Sequence, residues 1–362
     1  MKITALFSCG VAIGLLSATL LAGCQKESNI NRDITNTSNP PPGSGVGLAP
    51  VYFGWGALQN DIPYVNPPVA ELPSSQFSQG FTINGLGFVC GGELTAEYYG
   101  RDLYGYFVTD LWQYDAGTKG WIKRAPFPGG GDHSQVELAI NFVIGDNAYI
   151  IGTDNQTYKY NQPSDAWSLA APFPGVARGG PCGFAVNGQG YVGMGATSGG
   201  VTLSDWWQYD PIGDKWYKMY DFPGNSRWAA ACFTVGGKGY IVGGAHVTAA
   251  GSALGSTVWQ YTPGGLAVNG SWQQMKNFSG GARYQANGAT GTVGGVDVGF
   301  VLGGIASGFA VEGDAWEYYP PGDSWAKLPN IAGGPEANAG VFVVGKSLFV
   351  CRGNVDVMGW SR

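Results

Sequence analysis

A repeat of about fifty residues constrains this chain more than any other feature of its sequence. The unit is an aromatic residue, one variable residue and a tyrosine, followed by a tryptophan. The tryptophans of the five copies are Trp121, Trp167, Trp216, Trp272 and Trp325. Consecutive tryptophans are 46 to 56 residues apart, and in four copies the tryptophan follows the tyrosine by seven residues. A period of this length is typical of a protein built from one repeated supersecondary unit.

Each copy also carries apolar segments of strand length that end in glycine. Residues 240–244 (Tyr-Ile-Val-Gly-Gly) and 300–304 (Phe-Val-Leu-Gly-Gly) are examples. Another apolar segment and a Gly-Gly or Asn-Gly pair precede them, as at Asn187 and Gly188. Such pairs favour two-residue hairpin turns, so each copy is predicted to form short antiparallel strands.

The composition agrees with short strands and tight turns. The chain has 62 glycines and 13 tryptophans among 362 residues, and only 12% of its residues are charged. A disordered chain would be rich in charge and poor in aromatic residues. Collagen needs glycine at every third position, and a helical protein would be destabilised by so many glycines. These classes are therefore excluded, and an all-β fold remains.

The order of apolar strand, hairpin turn, glycine-terminated strand, tyrosine and tryptophan resembles the kelch repeat of β-propellers. The resemblance covers roughly residues 63–362, as five full copies and a partial sixth that stops at Arg362. It implies an all-β, six-bladed kelch-type β-propeller with four-stranded antiparallel blades. Because the last copy lacks its outermost strand, we expect an N-terminal strand at residues 64–72, or alternatively 51–55, to close the ring.

The N-terminal segment has the pattern of an export signal. Met1-Lys2 precede an apolar run that ends in Leu-Ala-Gly-Cys at residues 21–24. This ending resembles the lipobox of bacterial lipoproteins, although a plain membrane anchor is the alternative. The resemblance implies a signal peptide at residues 1–23 and a lipid on Cys24. Gln25 follows instead of the aspartate that retains lipoproteins in the inner membrane, so we expect an outer membrane lipoprotein of a Gram-negative bacterium.

The domain organisation and the charge follow from the rest of the chain. Residues 24–50 are rich in Asn, Ser, Thr, Pro and Gly and are predicted to form a flexible polar tether, with the propeller at 51–362. The net charge is −6, which argues against nucleic acid and anionic membrane surfaces as partners. We therefore expect membrane attachment through the lipid alone, on the periplasmic side or at the cell surface.

The junctions that lead from one copy to the next contain the candidate binding residues. When the junctions are aligned on the following apolar strand, equivalent positions hold arginines, aromatic residues and a few residues of other types. We expect these positions to lie at one mouth of the central channel of the predicted propeller. The candidate ligand-binding residues are Arg178, Arg227, Arg283, Trp228, Tyr284, Phe77, His133 and Glu336. Together they would form an aromatic-walled pocket for a sugar or an acidic ligand. The competing interpretation is that the repeated arginines are structural braces.

Two loops between the second and third strands belong to the same predicted face. Residues 93–109 are rich in tyrosine, and residues 245–257 begin near His246 and contain mostly small residues. They would serve either as a recognition surface or as a cap over the channel. No spacing of His, Cys or Asp suits a metal site, and no cofactor motif is present.

The four cysteines of the propeller, Cys90, Cys182, Cys232 and Cys351, are expected either as buried thiols or as disulfides.

Two functions remain open. The first is a binding or interaction module without catalytic activity, for a protein or a glycan. The alternative is a sugar-modifying enzyme similar to sialic-acid mutarotase, with an arginine holding a carboxylate and an acid–base pair at the anomeric carbon. The sequence offers no catalytic residue that matches that family position by position.

Overall fold

The computed structural model describes residues 54–57, 74–95, 97–98, 101–102, 106–118, 120–129, 136, 138–248, 251–331, 336–351 and 357–361. The predicted signal peptide, Cys24 and the tether lie outside the described residues, and so does His133. No helix in these ranges is long and apolar enough to cross a membrane. Two short 3-10 helices, Ser307–Phe309 and Pro320–Gly322, are the helices among the described residues.

The N-terminal part of the described chain contains one sheet that we call the leading sheet. The first eight strands are β1 (Gly54–Ala57), β2 (Ser74–Gln76), β3 (Gln79–Ile83), β4 (Leu86–Thr95), β5 (Glu97–Tyr98), β6 (Arg101–Asp102), β7 (Tyr106–Asp115) and β8 (Gly120–Arg124). The leading sheet has the order β2-β4-β7-β8, and β3 also pairs with β4. Strands β5 and β6 form a separate hairpin in the predicted tyrosine-rich loop.

Five four-stranded sheets, which we call blades I to V, make up the rest. The strands of blade I are β9 (Ile140–Ile144), β10 (Asn147–Ile151), β11 (Thr157–Asn161) and β12 (Ala166–Ala170). Those of blade II are β13 (Cys182–Val186), β14 (Gln189–Gly193), β15 (Trp206–Asp210) and β16 (Lys215–Met219). Blade III contains β17 (Ala231–Val235), β18 (Lys238–Val242), β21 (Val258–Thr262) and β22 (Ser271–Met275), with the hairpin β19 (Ala245–Thr248) and β20 (Gly251–Leu254) inserted between β18 and β21.

The last two blades complete the described chain. Blade IV contains β23 (Asn287–Val293), β24 (Val296–Leu302), β25 (Ala315–Tyr319) and β26 (Ser324–Leu328). Blade V contains β27 (Gly340–Val344), β28 (Ser347–Cys351) and β29 (Val357–Ser361), and its fourth strand is β1. All neighbouring strands in the blades are antiparallel, so the predicted all-β propeller with four-stranded antiparallel blades is confirmed.

The predicted number of six four-stranded blades is wrong, because the described chain has five. The leading sheet has five strands because β4 is long enough to pair with β3 through its first half and with β2 through its second. Two residues with left-handed backbone, Gly91 and Gly92, lie in the middle of β4, where its register with β7 shifts. Residues 64–72 lie outside the described residues, and the strand that pairs with β29 is β1.

The repeated tyrosine and tryptophan pack against the preceding sheet. In blade II, Tyr209 donates its hydroxyl to Asp214 (2.6 Å), which also accepts the amide of Ala171 from the end of blade I (2.7 Å). Trp216 completes the contact by donating its indole N–H to the carbonyl of Ala171 (2.9 Å). The ring of Tyr209 lies 5.3 Å from that of Tyr149 in blade I. The aromatic residues thus fill the space between blades, as the repeat predicts.

A chain of backbone hydrogen bonds runs along the inner ends of the sheets. One residue just before each innermost strand has left-handed backbone, with φ between 52° and 59°. These residues are Phe77, Leu138, Gly180, Ala229, Gln285 and Asn338. At five of these six positions, the backbone amide donates to the carbonyl of the counterpart in the neighbouring sheet, with distances of 2.7 to 3.2 Å. We call this set the junction chain, and all six of its residues line the channel.

Candidate functional site

The junctions between blades and the loops after the second strands lie on one face, which we call the loop face. Short antiparallel bridges join them: Trp228 pairs with Ala245, and Tyr284 pairs with Ile305. The amide of Trp228 donates to Ala245 (2.8 Å), and the amide of Ala245 donates back to Trp228 (3.0 Å). The backbone therefore holds the residues before the junction chain beside the hairpin β19–β20 and its counterparts.

Two of the predicted arginines are buried and paired with carboxylates. Arg178 and Arg283 are 5% and 3% exposed. Arg178 forms a bidentate ion pair with Asp205, and its Nη2–Oδ2 distance is 2.7 Å. Arg283 contacts both carboxylate oxygens of Asp314 and donates to the carbonyl of Gly303 (2.9 Å). Both guanidinium groups are used inside the protein, which favours the interpretation as structural braces.

The ion pair also shifts the ionisation of its acidic partner. Burial alone would raise the pKa of the Asp205 carboxyl, but the hydrogen bonds and charge of Arg178 outweigh it and hold the pKa below its usual value. The indole N–H of Trp207 adds a further hydrogen bond to this carboxylate, at 2.8 Å. Asp205 therefore stays ionised as the counter-ion of a buried arginine.

Arg227 differs from the other two arginines because none of the described carboxylates pairs with it. It is 5% exposed and donates to the carbonyl of Gly243 (2.8 Å) and to Thr257 Oγ1 (3.0 Å). Thr257 stands just before the third strand of its blade, where Asp205 and Asp314 stand in blades II and IV. Burial lowers the pKa of Arg227, and nearby Cys182 and Cys232 oppose this effect.

Trp228 and Tyr284 are brought together at the mouth of the channel. Their ring centroids are 5.4 Å apart at an interplanar angle of 54°. A Cβ on Gly180 would lie 3.0 Å from Trp228 Cε3, so the indole lies over the junction chain of blade II. The corresponding residues of two other junctions are Gly179 and Ala337, which have almost no side chain. The mouth therefore has an aromatic wall on one side, at blades III and IV.

Polar groups without partners lie next to this aromatic wall. Tyr284 and Gln285 are each 8% exposed, and their polar atoms are not fully enclosed. No hydrogen bond joins the Tyr284 hydroxyl or the Gln285 side-chain amide to another group in the described part of the chain. The buried Nδ2 of Asn287, two residues further along, is also without a partner there. Sequence reasoning missed Gln285 and Asn287, because neither matches its counterparts in the other copies. Unsatisfied buried polar groups are costly unless a ligand or water bonds them.

Two other predicted residues, Phe77 and Glu336, lie at other positions of the junctions. Phe77 belongs to the junction chain and lines the channel, one position further along than Trp228 and Tyr284. Glu336 occupies the position of the three arginines: its carbonyl accepts the amide of Gly304 (2.7 Å), as that of Arg283 accepts Gly244 (2.8 Å). Its carboxylate accepts the amide of Ala337 (3.2 Å). In the leading sheet and blade I, the positions two residues before the junction chain are Ser75 and Val136.

The channel itself is lined by the innermost strands and has a cavity of about 390 Å³. None of the described residues that line it carries a charge. Its polar groups are amides and hydroxyls, and some of them bond to each other, as Asn141 Nδ2 does to Gln79 Oε1 (2.8 Å). The channel can thus accept uncharged polar groups but offers no ion pair to an acidic one.

Three further predictions concern the loop at residues 245–257, the cysteines and metal ligands. The predicted loop at 245–257 forms the hairpin β19–β20, in which His246 is half-buried. All four propeller cysteines are free thiols in the structure. Within the described ranges, no three His, Cys, Asp or Glu side chains come together as metal ligands.

Comparison with known proteins agrees with this architecture. The chain is similar to the solved structure of YjhT, a kelch-type propeller, with a TM-score of 0.60 and 16% sequence identity. The similarity covers 80% of this chain and 95% of the YjhT chain. No family model and no curated protein matches the sequence. The fold is therefore that of a kelch-like β-propeller, and the function has to be argued from the site.

Proposed function

We propose that this protein is a binding module whose loop face holds a protein or glycan ligand at the channel mouth. The observation that carries the proposal is the pair Trp228 and Tyr284, with the Tyr284 hydroxyl and the Gln285 amide unpartnered beside it. Aromatic faces stack on sugar rings, and hydroxyl and amide groups bond to sugar hydroxyls. A pocket with an apolar wall and a few convergent polar groups is the usual form of a small-ligand site.

The charges of the site favour a neutral glycan among the possible ligands. Arg178 and Arg283 are already paired with carboxylates, and the described channel lining carries no charge. An acidic sugar would need a free guanidinium or ammonium group to replace its lost hydration. Neutral hydroxyl groups need only the amides and hydroxyls that line the mouth and channel.

A panel of neutral and acidic glycans, tested against the chain without residues 1–24, examines this proposal. Binding of a neutral glycan that is weakened about tenfold or more by Trp228→Ala, and also weakened by Tyr284→Phe, supports it. The matched control is Tyr220→Phe, which removes the hydroxyl of an exposed tyrosine just after the fourth strand of blade II, away from the junction chain. Binding that these three substitutions affect equally, or no binding to any glycan or protein, contradicts the proposal.

The second candidate is a sugar-modifying enzyme that resembles sialic-acid mutarotase. The similarity in fold to YjhT is compatible with it. Glu336, at the junction position of blade V, is the acidic residue that would take part in proton transfer there. NMR exchange between the anomers of sialic acid tests this candidate. Acceleration by the wild type and its loss in Glu336→Gln would favour the enzyme over the binding module.

We propose further that export and lipidation place the propeller outside the cytoplasm. The support is the sequence at residues 21–24, in which Cys24 would carry the lipid and anchor the chain to the outer membrane. Metabolic labelling with a radioactive fatty acid tests this. Label that is lost in Cys24→Ala supports the proposal, and an unlabelled wild-type protein contradicts it.

Closure of the ring by β1 is also a proposal. Its support is the pairing of β1 with β29 and the hydrogen bond from the amide of Phe77 to the carbonyl of Asn338 (2.9 Å), which joins the leading sheet to blade V. The pairing with β1 also covers the otherwise open edge of β29. Deletion of residues 51–57 should then cause loss of cooperative unfolding, whereas deletion of residues 25–35 should not.

A further inference from the structure

Two cysteines from adjacent blades meet beside the channel. Cys182 Sγ lies 3.8 Å from the carbonyl oxygen of Ala230, and Cys232 Sγ lies 3.7 Å from the same oxygen. Cys182 is the first residue of β13 in blade II, and Cys232 is in β17 of blade III. The two sulfurs thus contact one and the same carbonyl oxygen. The interface between blades II and III therefore holds a dithiol.

This dithiol can be reached from the channel. Cys232 is partly exposed and lines the cavity, whereas Cys182 lies behind it and is fully buried. The other two described thiols, Cys90 and Cys351, are 0% and 1% exposed and do not line the cavity. An ion in the channel would meet Cys232 first and Cys182 second.

The dithiol lies near a buried cation that lacks a carboxylate partner. Arg227 has Thr257 where the arginines of blades II and IV have Asp205 and Asp314. No ion pair forms at Arg227 in the described part of the chain, and both thiols are close enough to interact with its charge. A buried charge without a counter-ion is strongly destabilising, so the Arg227 guanidinium would favour the negative charge that two metal-bound thiolates bring to the site.

We propose that Cys182 and Cys232 form a two-coordinate site for a soft monovalent cation of the Cu(I) and Ag(I) class. Thiolate is the ligand that such cations prefer. On binding, each thiol releases its proton to solvent, two sulfur–metal bonds form, and no atom is oxidised or reduced. Two thiolates, one monovalent cation and the Arg227 guanidinium together have no net charge, whereas a divalent ion would leave an excess positive charge. A structural zinc ion would need four ligands, and the described residues offer no third one here.

The experiment is a titration of the reduced full chain with Ag(I), which needs no protection from oxygen, followed by Cu(I) under anaerobic conditions. We expect one ion per chain, with ultraviolet sulfur-to-metal charge-transfer absorption. Cys182→Ser and Cys232→Ser should each weaken binding at least a hundredfold. Cys90→Ser and Cys351→Ser are controls that remove buried thiols outside the cavity and should leave binding unchanged.

A further variant tests the role of Arg227 without removing a sulfur. Thr257→Asp supplies the carboxylate that the other two blades have, so it should weaken Ag(I) binding about tenfold or more while the fold remains intact by circular dichroism. Unchanged binding in either single cysteine variant overturns the proposal. So does a reduction-sensitive mass loss that maps to a Cys182–Cys232 disulfide in the protein purified without reductant, because a disulfide leaves no thiolate to bind the ion.

Discussion

Arg227 donates a hydrogen bond of 3.0 Å to Thr257, at the position where Arg178 and Arg283 meet carboxylates. Three equivalent junctions thus hold their guanidinium groups in two different ways. The pair Arg283–Asp314 is the more enclosed of the two ion pairs, with 3% and 12% of the side chains exposed. The three junctions should therefore respond differently when the partner of the arginine is removed.

Removing the carboxylate of Asp314 should destabilise the protein strongly. Asp314→Ala leaves a buried guanidinium without its counter-ion, and such changes cost about 3–5 kcal/mol. Thr257→Ala removes one hydrogen bond to Arg227 and should cost only about 1–2 kcal/mol. Urea unfolding measures both. Asp221→Ala, which breaks the exposed pair with Lys218, is the control and should cost less than about 1 kcal/mol. Equal losses in all three variants would contradict the bracing role.

The Asp205–Arg178 pair should make stability depend on acid. Its folded-state pKa is depressed, so the contribution is present above the unfolded pKa of about 3.9 and is lost as the pH falls through the folded value. The difference in unfolding free energy between wild type and Asp205→Asn should be largest near neutral pH and should shrink below about pH 4. A difference that stays constant down to about pH 2 would show that the charge of Asp205 contributes nothing.

The buried tyrosines should limit stability at alkaline pH. Burial, together with the hydrogen bond and charge of the neighbouring carboxylate, raises the pKa of Tyr209 beside Asp214 and of Tyr318 beside Asp323. Raised values stabilise the fold below the unfolded pKa of about 10 and lose that effect as the pH rises further. We expect exposed tyrosines to ionise first and a second rise in tyrosinate absorbance to coincide with loss of circular dichroism. Complete tyrosine ionisation in a native spectrum would contradict this packing.

The glycine-rich end of the second strand of blade IV should tolerate no added side chain. Gly303 has left-handed backbone (φ 58°), and a Cβ there would overlap the carbonyl oxygen of Glu336 from the next junction. Gly303→Ala should therefore cost about 3 kcal/mol or more, from strain and lost contact together. Gly345 has a similar φ of 61° but open space around it, so Gly345→Ala isolates the backbone strain, at about 1 kcal/mol. Thermal unfolding compares the two, and equal costs would contradict the close approach of the junction backbone.

Much of the fold could be predicted because the repeat has a physical cause at each position. The tyrosine ring of each copy packs against the preceding sheet, as that of Tyr209 does, so its spacing is tied to the blade geometry. In blades I and II the tryptophan also donates a hydrogen bond to that sheet, as Trp216 does. The five-stranded leading sheet could not be predicted, because the kink at Gly91 and Gly92 that lets β4 pair twice also resembles an ordinary strand end. The strand that pairs with β29 lies in a segment without any repeat signal.

Part of the geometry of the candidate site could be predicted. The sequence places Trp228 and Tyr284 at one mouth, and the structure brings them into contact. Sequence alone left open whether the arginines bind a ligand or brace the blades, since the partners Asp205 and Asp314 lie 27 and 31 residues further along. The junction chain could not be predicted from the sequence, because its left-handed residues share a backbone conformation but no residue type. Gly180 and Gln285 are examples.

The channel mouth beside Trp228 and Tyr284 is the proposed binding site. A crystal structure of the protein with the glycan that binds best in the panel tests this most directly. We expect a sugar ring against the Trp228 indole, with hydrogen bonds to the Tyr284 hydroxyl and the Gln285 amide. A glycan bound at the opposite face, among the hairpin turns such as Asn187-Gly188, with the Tyr284 hydroxyl and Gln285 amide still unpartnered, would contradict it.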